Sequence, residues 1–172
     1  MTALRRTARN LARYNAWANR VFYDAVFALP PGEAEKPRQT LFRNIVHTLN
    51  HNYVIDAIFR AHAEGRAHGY TARNTAEPPP LADLWRLQQE FDAWLVAWAD
   101  GLDDAALEET VHFEFVGGGA GAMSRLEIIE HLAIHTAYHR GFAGDMFFQV
   151  PGCRPPVTDL TVFLRDHRPA AG

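Results

Sequence analysis

The sequence is poor in cysteine and has no long apolar run. Cys153 is its one cysteine, so no internal disulfide can form. Such cysteine usage is typical of proteins in a reducing compartment. No apolar segment reaches the length of about 18 residues that a membrane-spanning helix needs, and the N-terminal residues do not resemble a signal peptide. We therefore expect a soluble, cytoplasmic protein that does not insert into a membrane.

Several motifs that define common functional classes are also missing. The net charge is −3 and no basic stretch is interleaved with aromatic residues, so nucleic-acid binding is not expected. The glycine-rich stretch at residues 117–121 lacks the spacing and the lysine of a phosphate-binding loop. There is no Gly-x-Ser-x-Gly nucleophile elbow and no His-Glu-x-x-His metalloprotease helix. Any catalytic function must therefore rest on a different set of residues.

Apolar residues recur at helical spacing over most of the chain. The pattern predicts four long helices, at residues 4–28, 40–63, 82–100 and 124–149. The last begins at a capping box formed by Ser124 and Glu127. Between the helices we expect a loop at 66–80, a short helical turn within 102–110, a strand or extended crossing segment at 111–116, and a short C-terminal helix at 159–165. The chain is therefore predicted to be all-α, a four-helix bundle with one long crossover, in a single domain over residues 1–172.

Histidines are the most informative residues in this framework. Five of the nine stand at four-residue intervals, two in the second predicted helix and three in the fourth: His47, His51, His131, His135 and His139. Four residues advance a helix by about 400°, so these side chains share one face of each helix. The same faces carry apolar residues and should point into the core. An imidazole is costly to bury unless its nitrogens are satisfied, and a divalent metal between two such helices would satisfy them.

His51, His135 and His139 lie most centrally in the apolar stripes and are the predicted metal ligands. Three imidazoles leave coordination positions open, which is typical of catalytic rather than structural sites. His47 and His131, one turn earlier, are candidates for supporting hydrogen bonds, for proton transfer or for alternative ligation. Imidazole suits zinc, nickel, copper and ferrous iron, so the residues do not select the metal. Asp56 lies about 140° from His51 on the helix and is expected to pair on the outer face.

Four segments resemble the DinB family. The fourth helix carries His131-Leu-Ala-Ile-His135-Thr-Ala-Tyr138-His139-Arg-Gly, close to the family pattern His-x-x-x-His-x-x-His-His-Arg-Gly-Gln. The second helix carries Thr-Leu-Asn-His51 followed by an aspartate five residues later. Tyr-Asn-Ala-Trp-Ala-Asn at 14–19 and Thr-Asp-Leu at 158–160 resemble the family's opening and closing segments. The resemblance covers nearly the whole chain in order.

The resemblance implies a DinB/YfiT-like four-helix bundle with a three-histidine metal site, and it assigns the ligands to the same His51, His135 and His139. It also implies a divalent cofactor, with zinc or nickel expected first and iron or manganese as alternatives. This chain departs from the pattern at Tyr138, which replaces a histidine, and at Phe142, which replaces a glutamine. Neither is a ligand position, so the changes affect the wall of the site.

Three functions follow from this interpretation. The first is a metal-dependent enzyme acting on a small molecule, such as a thiol-dependent transferase in which a low-molecular-weight thiol attacks an electrophile. The second is a metal-dependent hydrolase, and the third a non-catalytic, stress-associated metal-binding module. In the enzymatic versions His47, His131 or Tyr138 would move the proton, because each lies within about 60° of a ligand on its own helix. We also expect a homodimer.

Overall fold

The computed structural model describes residues 1–167 and confirms the all-α prediction. Within these residues, four long helices form the bundle, and two short helices and one β-hairpin connect or follow them. The C-terminal short helix follows a 3-10 turn that extends the last long helix. The elements are α1 (Ala3–Phe27), α2 (Ile45–Ala63), α3 (Leu81–Gly101), α4 (Asp104–Glu108), β1 (Thr110–Glu114), β2 (Ala120–Ser124), α5 (Arg125–Asp145), the 3-10 helix (Met146–Gln149) and α6 (Leu160–His167).

Side-chain caps set the starts of α2 and α5. The predicted capping box is present at α5, where the Ser124 side chain accepts from the Glu127 backbone N–H and the Glu127 carboxylate accepts from the Ser124 backbone N–H. Helix α2 begins at Ile45, five residues later than expected. Its cap is Asn44, whose side chain accepts a 2.7 Å hydrogen bond from the His47 backbone N–H. Arg43 has a positive φ of 71°, which breaks the helical path before this cap.

The expected strand at 111–116 is present as β1 (Thr110–Glu114), which ends two residues earlier, and its partner strand was not predicted. Strands β1 and β2 pair antiparallel, with Val111 opposite Met123 and Phe113 opposite Gly121. Strand β2 reads Ala-Gly-Ala-Met-Ser and has few β-forming residues, so propensity gave no signal for it. A side chain at Gly121 would meet the Phe113 ring, which explains the glycine there. The hairpin turn brings Phe115 to the side of the bundle that carries the histidines.

The long helices form a bundle in which α1 packs against α3 and α5, and α2 packs against α5 and α3. The predicted proximity of the two histidine-bearing helices, α2 and α5, is therefore confirmed. Helix α6 closes one side by packing Phe163 against Tyr14 and Trp17 of α1. Within residues 1–167, no helix is both long enough and apolar enough to cross a membrane.

The centre of the bundle contains a polar cluster between apolar layers. Arg140 is buried and donates hydrogen bonds to the side-chain oxygens of Asn15 (3.3 Å) and Asn19 (2.9 Å). The Asn19 amide in turn donates to both Asp92 oxygens, at 2.9 and 3.2 Å. All four side chains are buried. Such a cluster is stable only when its members satisfy one another, since an unpaired buried charge is costly.

Asp56 belongs to this cluster, so the expectation that it pairs on the outer face was wrong. Its side chain is fully buried and accepts a 2.8 Å hydrogen bond from Gln88 of α3. The reason lies in the packing of α2, which contacts α5 on one side and α3 on another. A residue about 140° from the histidine face therefore still points at a neighbouring helix. Burial, together with the nearby Asp92 charge, holds the pKa of Asp56 well above its usual value.

Candidate metal centre

Three histidines from two helices meet at one point of the α2–α5 interface. His51 comes from α2, and His135 and His139 come from successive turns of α5. Their ring centroids are 4.5 to 5.0 Å apart. One ring nitrogen from each lies within 4.8 Å of the other two, which is an arrangement that can hold a metal ion. The structure thus brings together the three histidines that the helical spacing had singled out.

A backbone hydrogen bond determines how the His51 ring is oriented. Its Nδ1 atom lies 2.6 Å from the carbonyl oxygen of Arg73. A carbonyl can only accept, so Nδ1 carries the proton and Nε2 keeps its lone pair. Nε2 points to the centre of the triad, 3.2 Å from Nε2 of His135. Histidine ligands in metal sites are typically held in this way through the nitrogen that does not bind the metal.

The donor set fits a divalent cation. The Nε2 atoms of His51 and His135 face each other at 3.2 Å, and one ring nitrogen of each of the three histidines lies within 4.8 Å of the other two. In a neutral imidazole the nitrogen that does not carry the proton offers a lone pair. A cation at this point would therefore be bound by three nitrogen lone pairs. Neutral imidazoles are also suitable ligands for zinc and nickel.

The three histidines are neutral near pH 7, as ligation requires. Burial, followed by the neighbouring His139, His51 and His131 rings, lowers the pKa of His135 to about 3. Burial and the His51 ring lower the pKa of His139 to about 4. Burial also lowers the pKa of His51. Each ring therefore offers an unprotonated nitrogen rather than a positive charge that would repel the ion.

The loop between α2 and α3 supports this centre. The Asn50 amide donates to Asn74 Oδ1 and, at 2.7 Å, to Thr75 Oγ1. The Asn74 amide donates at 3.1 Å to the His47 carbonyl oxygen. These bonds attach residues 74–75 to α2 and so hold the preceding carbonyl of Arg73 against His51. Sequence reasoning described this segment only as a loop, because nothing in its composition indicates which backbone atom will reach a histidine.

The triad opens into a cavity of about 540 Å³. Its walls are mainly apolar, and Phe42 stacks on the His51 ring at a centroid distance of 4.3 Å. Three segments outside α2 and α5, at residues 41–42, 73 and 115, complete the wall. A metal held by the triad would therefore border space for a small molecule. The lining consists of Leu41, Phe42, His51, Ile55, Phe59, Arg73, Phe115, His131, His135 and His139.

The predicted proton carriers lie in three different places. His131 is in the cavity wall, with its ring 5.5 Å from that of His135, and burial lowers its pKa. Tyr138 is 62% exposed and contacts His139 edge-on at 5.0 Å, outside the cavity lining. His47 lines a separate cleft beside Pro78 and Pro79. Of the three, the structure brings only His131 into the space that the triad faces.

The fold and the site together define a helical-bundle protein with a three-histidine centre between two of its helices. The chain belongs to the DinB family, whose model matches residues 3–169. It is also similar to Protein DinB of Bacillus subtilis (strain 168), at 22% identity over 170 residues, which covers 91% of this chain and 93% of that protein.

Proposed function

We propose that this protein is a divalent-metal-dependent enzyme that acts on a small molecule in the cavity beside the triad. The observation that carries this proposal is the convergence of three neutral imidazoles on the wall of an open cavity. Structural metal sites usually have four protein ligands, whereas catalytic sites keep a position free. The cavity volume of about 540 Å³ suits a small organic ligand. Zinc and nickel are the proposed ions.

We further propose that a low-molecular-weight thiol is the co-substrate. A bound divalent cation would lower the pKa of a thiol and supply thiolate at neutral pH. Among residues 1–167, the cavity lining contains no cysteine, serine or carboxylate that would serve as a protein nucleophile. Cys153 packs against a different core cluster, with Val150 and Phe147. An external nucleophile is therefore consistent with the composition of the wall.

The proposed transfer uses one residue of the chain as a proton acceptor. The thiol proton passes to a neutral imidazole, for which His131 is placed in the wall. The thiolate sulfur then forms a bond to an electrophilic carbon, and the leaving group departs with the electron pair of its broken bond. The proton held by His131 can neutralise that group. The apolar side chains of Ile55 and Phe59 in the wall would limit the access of water, which otherwise competes with the thiolate for the electrophile.

Cobalt substitution tests the thiol part of this proposal. Mercaptohexanol would be titrated into the cobalt-loaded protein, and thiolate coordination should produce an intense charge-transfer band in the near ultraviolet. His51→Ala should abolish the band, whereas His47→Ala is the matched control on the same helix and should retain it. A cobalt-loaded protein that binds neither this nor any other small thiol would refute the thiol-dependent reaction while leaving the metal site intact.

A further inference from the structure

We infer that Arg73 is a specificity-determining residue that selects ligands bearing an anionic group for the triad cavity. This inference rests on the proposed function, because it concerns the molecule that binds beside the metal centre. Arg73 is the one lysine or arginine among the cavity-lining side chains within residues 1–167, and no aspartate or glutamate lines the cavity there. The histidines of the wall are uncharged at neutral pH. The fixed charge of the cavity is therefore positive.

Arg73 is held beside the triad by its own backbone. Its carbonyl oxygen accepts from His51 at 2.6 Å, and the next two residues are hydrogen-bonded to Asn50 of α2. The guanidinium is close enough for its charge to contribute to the lowered pKa of His51. The side chain nevertheless remains exposed to solvent. The backbone of Arg73 is thus held in place, while its guanidinium group can turn toward a ligand.

The guanidinium is also free to accept such a ligand. Within residues 1–167, it makes no ion pair with a carboxylate and no hydrogen bond. Two other arginines, one in α2 and one in the same loop, are engaged, since Arg60 and Arg66 both pair with Glu64, at 2.9 and 2.5 Å. A guanidinium presents paired N–H donors that match the geometry of a carboxylate. An unpaired arginine at the rim of a cavity is therefore suited to a carboxylate carried by the ligand.

The remaining wall indicates the rest of the ligand. Phe42, Ile55 and Phe59 make the interior apolar, and Leu41 and Phe115 continue this surface to the rim, where they are 62% and 51% exposed. Large apolar side chains at a rim gain free energy when a ligand covers them. The ligand class that fits both features is a small molecule with an apolar carbon body and a carboxylate at the end remote from the metal-binding group.

Two matched thiols test this inference on the cobalt-loaded protein. Mercaptohexanoate and mercaptohexanol have similar apolar chains and differ in the terminal carboxylate. Arg73→Gln should weaken binding of mercaptohexanoate by about tenfold, the loss expected for one charged hydrogen-bonded contact, and should leave the dissociation constant of mercaptohexanol unchanged. Arg73→Lys should bind mercaptohexanoate with an affinity between those of the wild type and Arg73→Gln. Arg66→Gln, an exposed arginine in the same loop, is the control and should leave both constants unchanged.

A probe without sulfur separates this inference from the proposed thiol chemistry. Binding of hexanoate to the metal-loaded protein would be measured by titration calorimetry. Hexanoate binding that is lost in Arg73→Gln, together with no binding of either thiol, would support the anion site and refute the thiol co-substrate. Hexanoate that does not bind, or that binds equally to the wild type and to Arg73→Gln, would overturn the role of Arg73. An unchanged circular dichroism spectrum would show that the variant is folded.

Discussion

The Nδ1 atom of His51 lies 2.6 Å from the carbonyl oxygen of Arg73. The two residues are 22 positions apart, the first in α2 and the second in the loop that follows this helix. It selects the tautomer that leaves Nε2 free, and it brings an arginine side chain to the cavity. One backbone contact therefore connects the metal-binding geometry with the charge that a ligand would meet.

The first prediction concerns the ligands. Substitution of His51, His135 or His139 by Ala should each remove most of the bound metal, because two imidazoles alone hold a divalent ion weakly. His47→Ala should retain it, since His47 lines a separate cleft. Metal content after dialysis, measured by mass spectrometry, decides the matter. An empty site in His47→Ala beside a full site in His51→Ala would contradict the assignment.

The second prediction concerns the loop that supports His51. Asn50→Ala removes the amide that holds Asn74 and Thr75, so the Arg73 carbonyl should no longer orient the ring. Metal affinity should fall by about 10- to 100-fold, as it does when other supporting partners of ligands are lost. Competition with a chromophoric chelator would measure the change. Asn10→Ala, in α1 and outside the lining of the triad cavity, is the control. Wild-type affinity in Asn50→Ala would show that the loop does not position the ligand.

The third prediction is a pH dependence of stability that arises from Asp92. Burial raises the pKa of this carboxyl from 3.8 to about 7, although Asn19, Gln88 and Arg140 oppose the shift. The native state therefore keeps a proton that the unfolded chain releases above about pH 4. It binds more protons than the unfolded state throughout this window, so the Asp92 contribution to the free energy of unfolding falls as pH rises from about 4 to about 7.

Comparison with a variant isolates this contribution. Asp92→Asn should lose this decrease in stability with rising pH. Because one pKa unit corresponds to about 1.4 kcal/mol, the difference in free energy of unfolding between wild type and Asp92→Asn should change by about 4 kcal/mol at most across this pH range. The triad histidines, whose pKa values are lowered, make stability rise with pH in both proteins. Their contribution therefore cancels when the two stability profiles are subtracted. Urea unfolding across this pH range provides the data. Asp83→Asn, at an exposed position of α3, should parallel the wild type, and a parallel profile for Asp92→Asn would contradict the prediction.

The fourth prediction concerns the cation of the buried cluster. At pH 8, Arg140→Met should lower the free energy of unfolding by about 3–5 kcal/mol. The substitution removes the buried donor to the side-chain oxygens of Asn15 and Asn19, and above about pH 7 it also leaves the ionised Asp92 carboxylate without a positive charge nearby. Asp92→Asn in the same protein should recover part of the loss, since the two side chains are linked through Asn19. A double-mutant cycle by urea unfolding tests this coupling. Strict additivity would show that Arg140 does not stabilise Asp92.

Sequence patterns predicted the helices well and the connections less well. The periodicity located four long helices, and the Ser124 capping box marked the start of α5 correctly. These signals are local, since each depends on residues within one or two turns. The start of α2 was placed five residues too early because apolar spacing continues through residues 40–44 while Asn44 caps the helix later. Strand β2 depends on its partner rather than on its own residues.

Within the site, the histidine spacing predicted which side chains share a helix face, but it did not predict which residues surround them. The four-residue interval between His135 and His139 requires that both point the same way from α5, whatever the rest of the chain does. The same rule put His47 beside His51, yet the structure places His47 in another cleft. Angular position on one helix does not say which neighbour a side chain meets. The burial of Asp56 was missed for the same reason.

The sequence by itself determined the helical architecture, the paired histidine faces and the family of this protein, because all three depend on patterns of residues that are close together along the chain. Only the tertiary structure decided that His51 meets His135 and His139 across a helix interface, that a loop carbonyl orients the ring, and that Arg73 borders the cavity. These contacts join residues that are at least 22 positions apart in the sequence. They depend on how the helices pack, which no local pattern specifies.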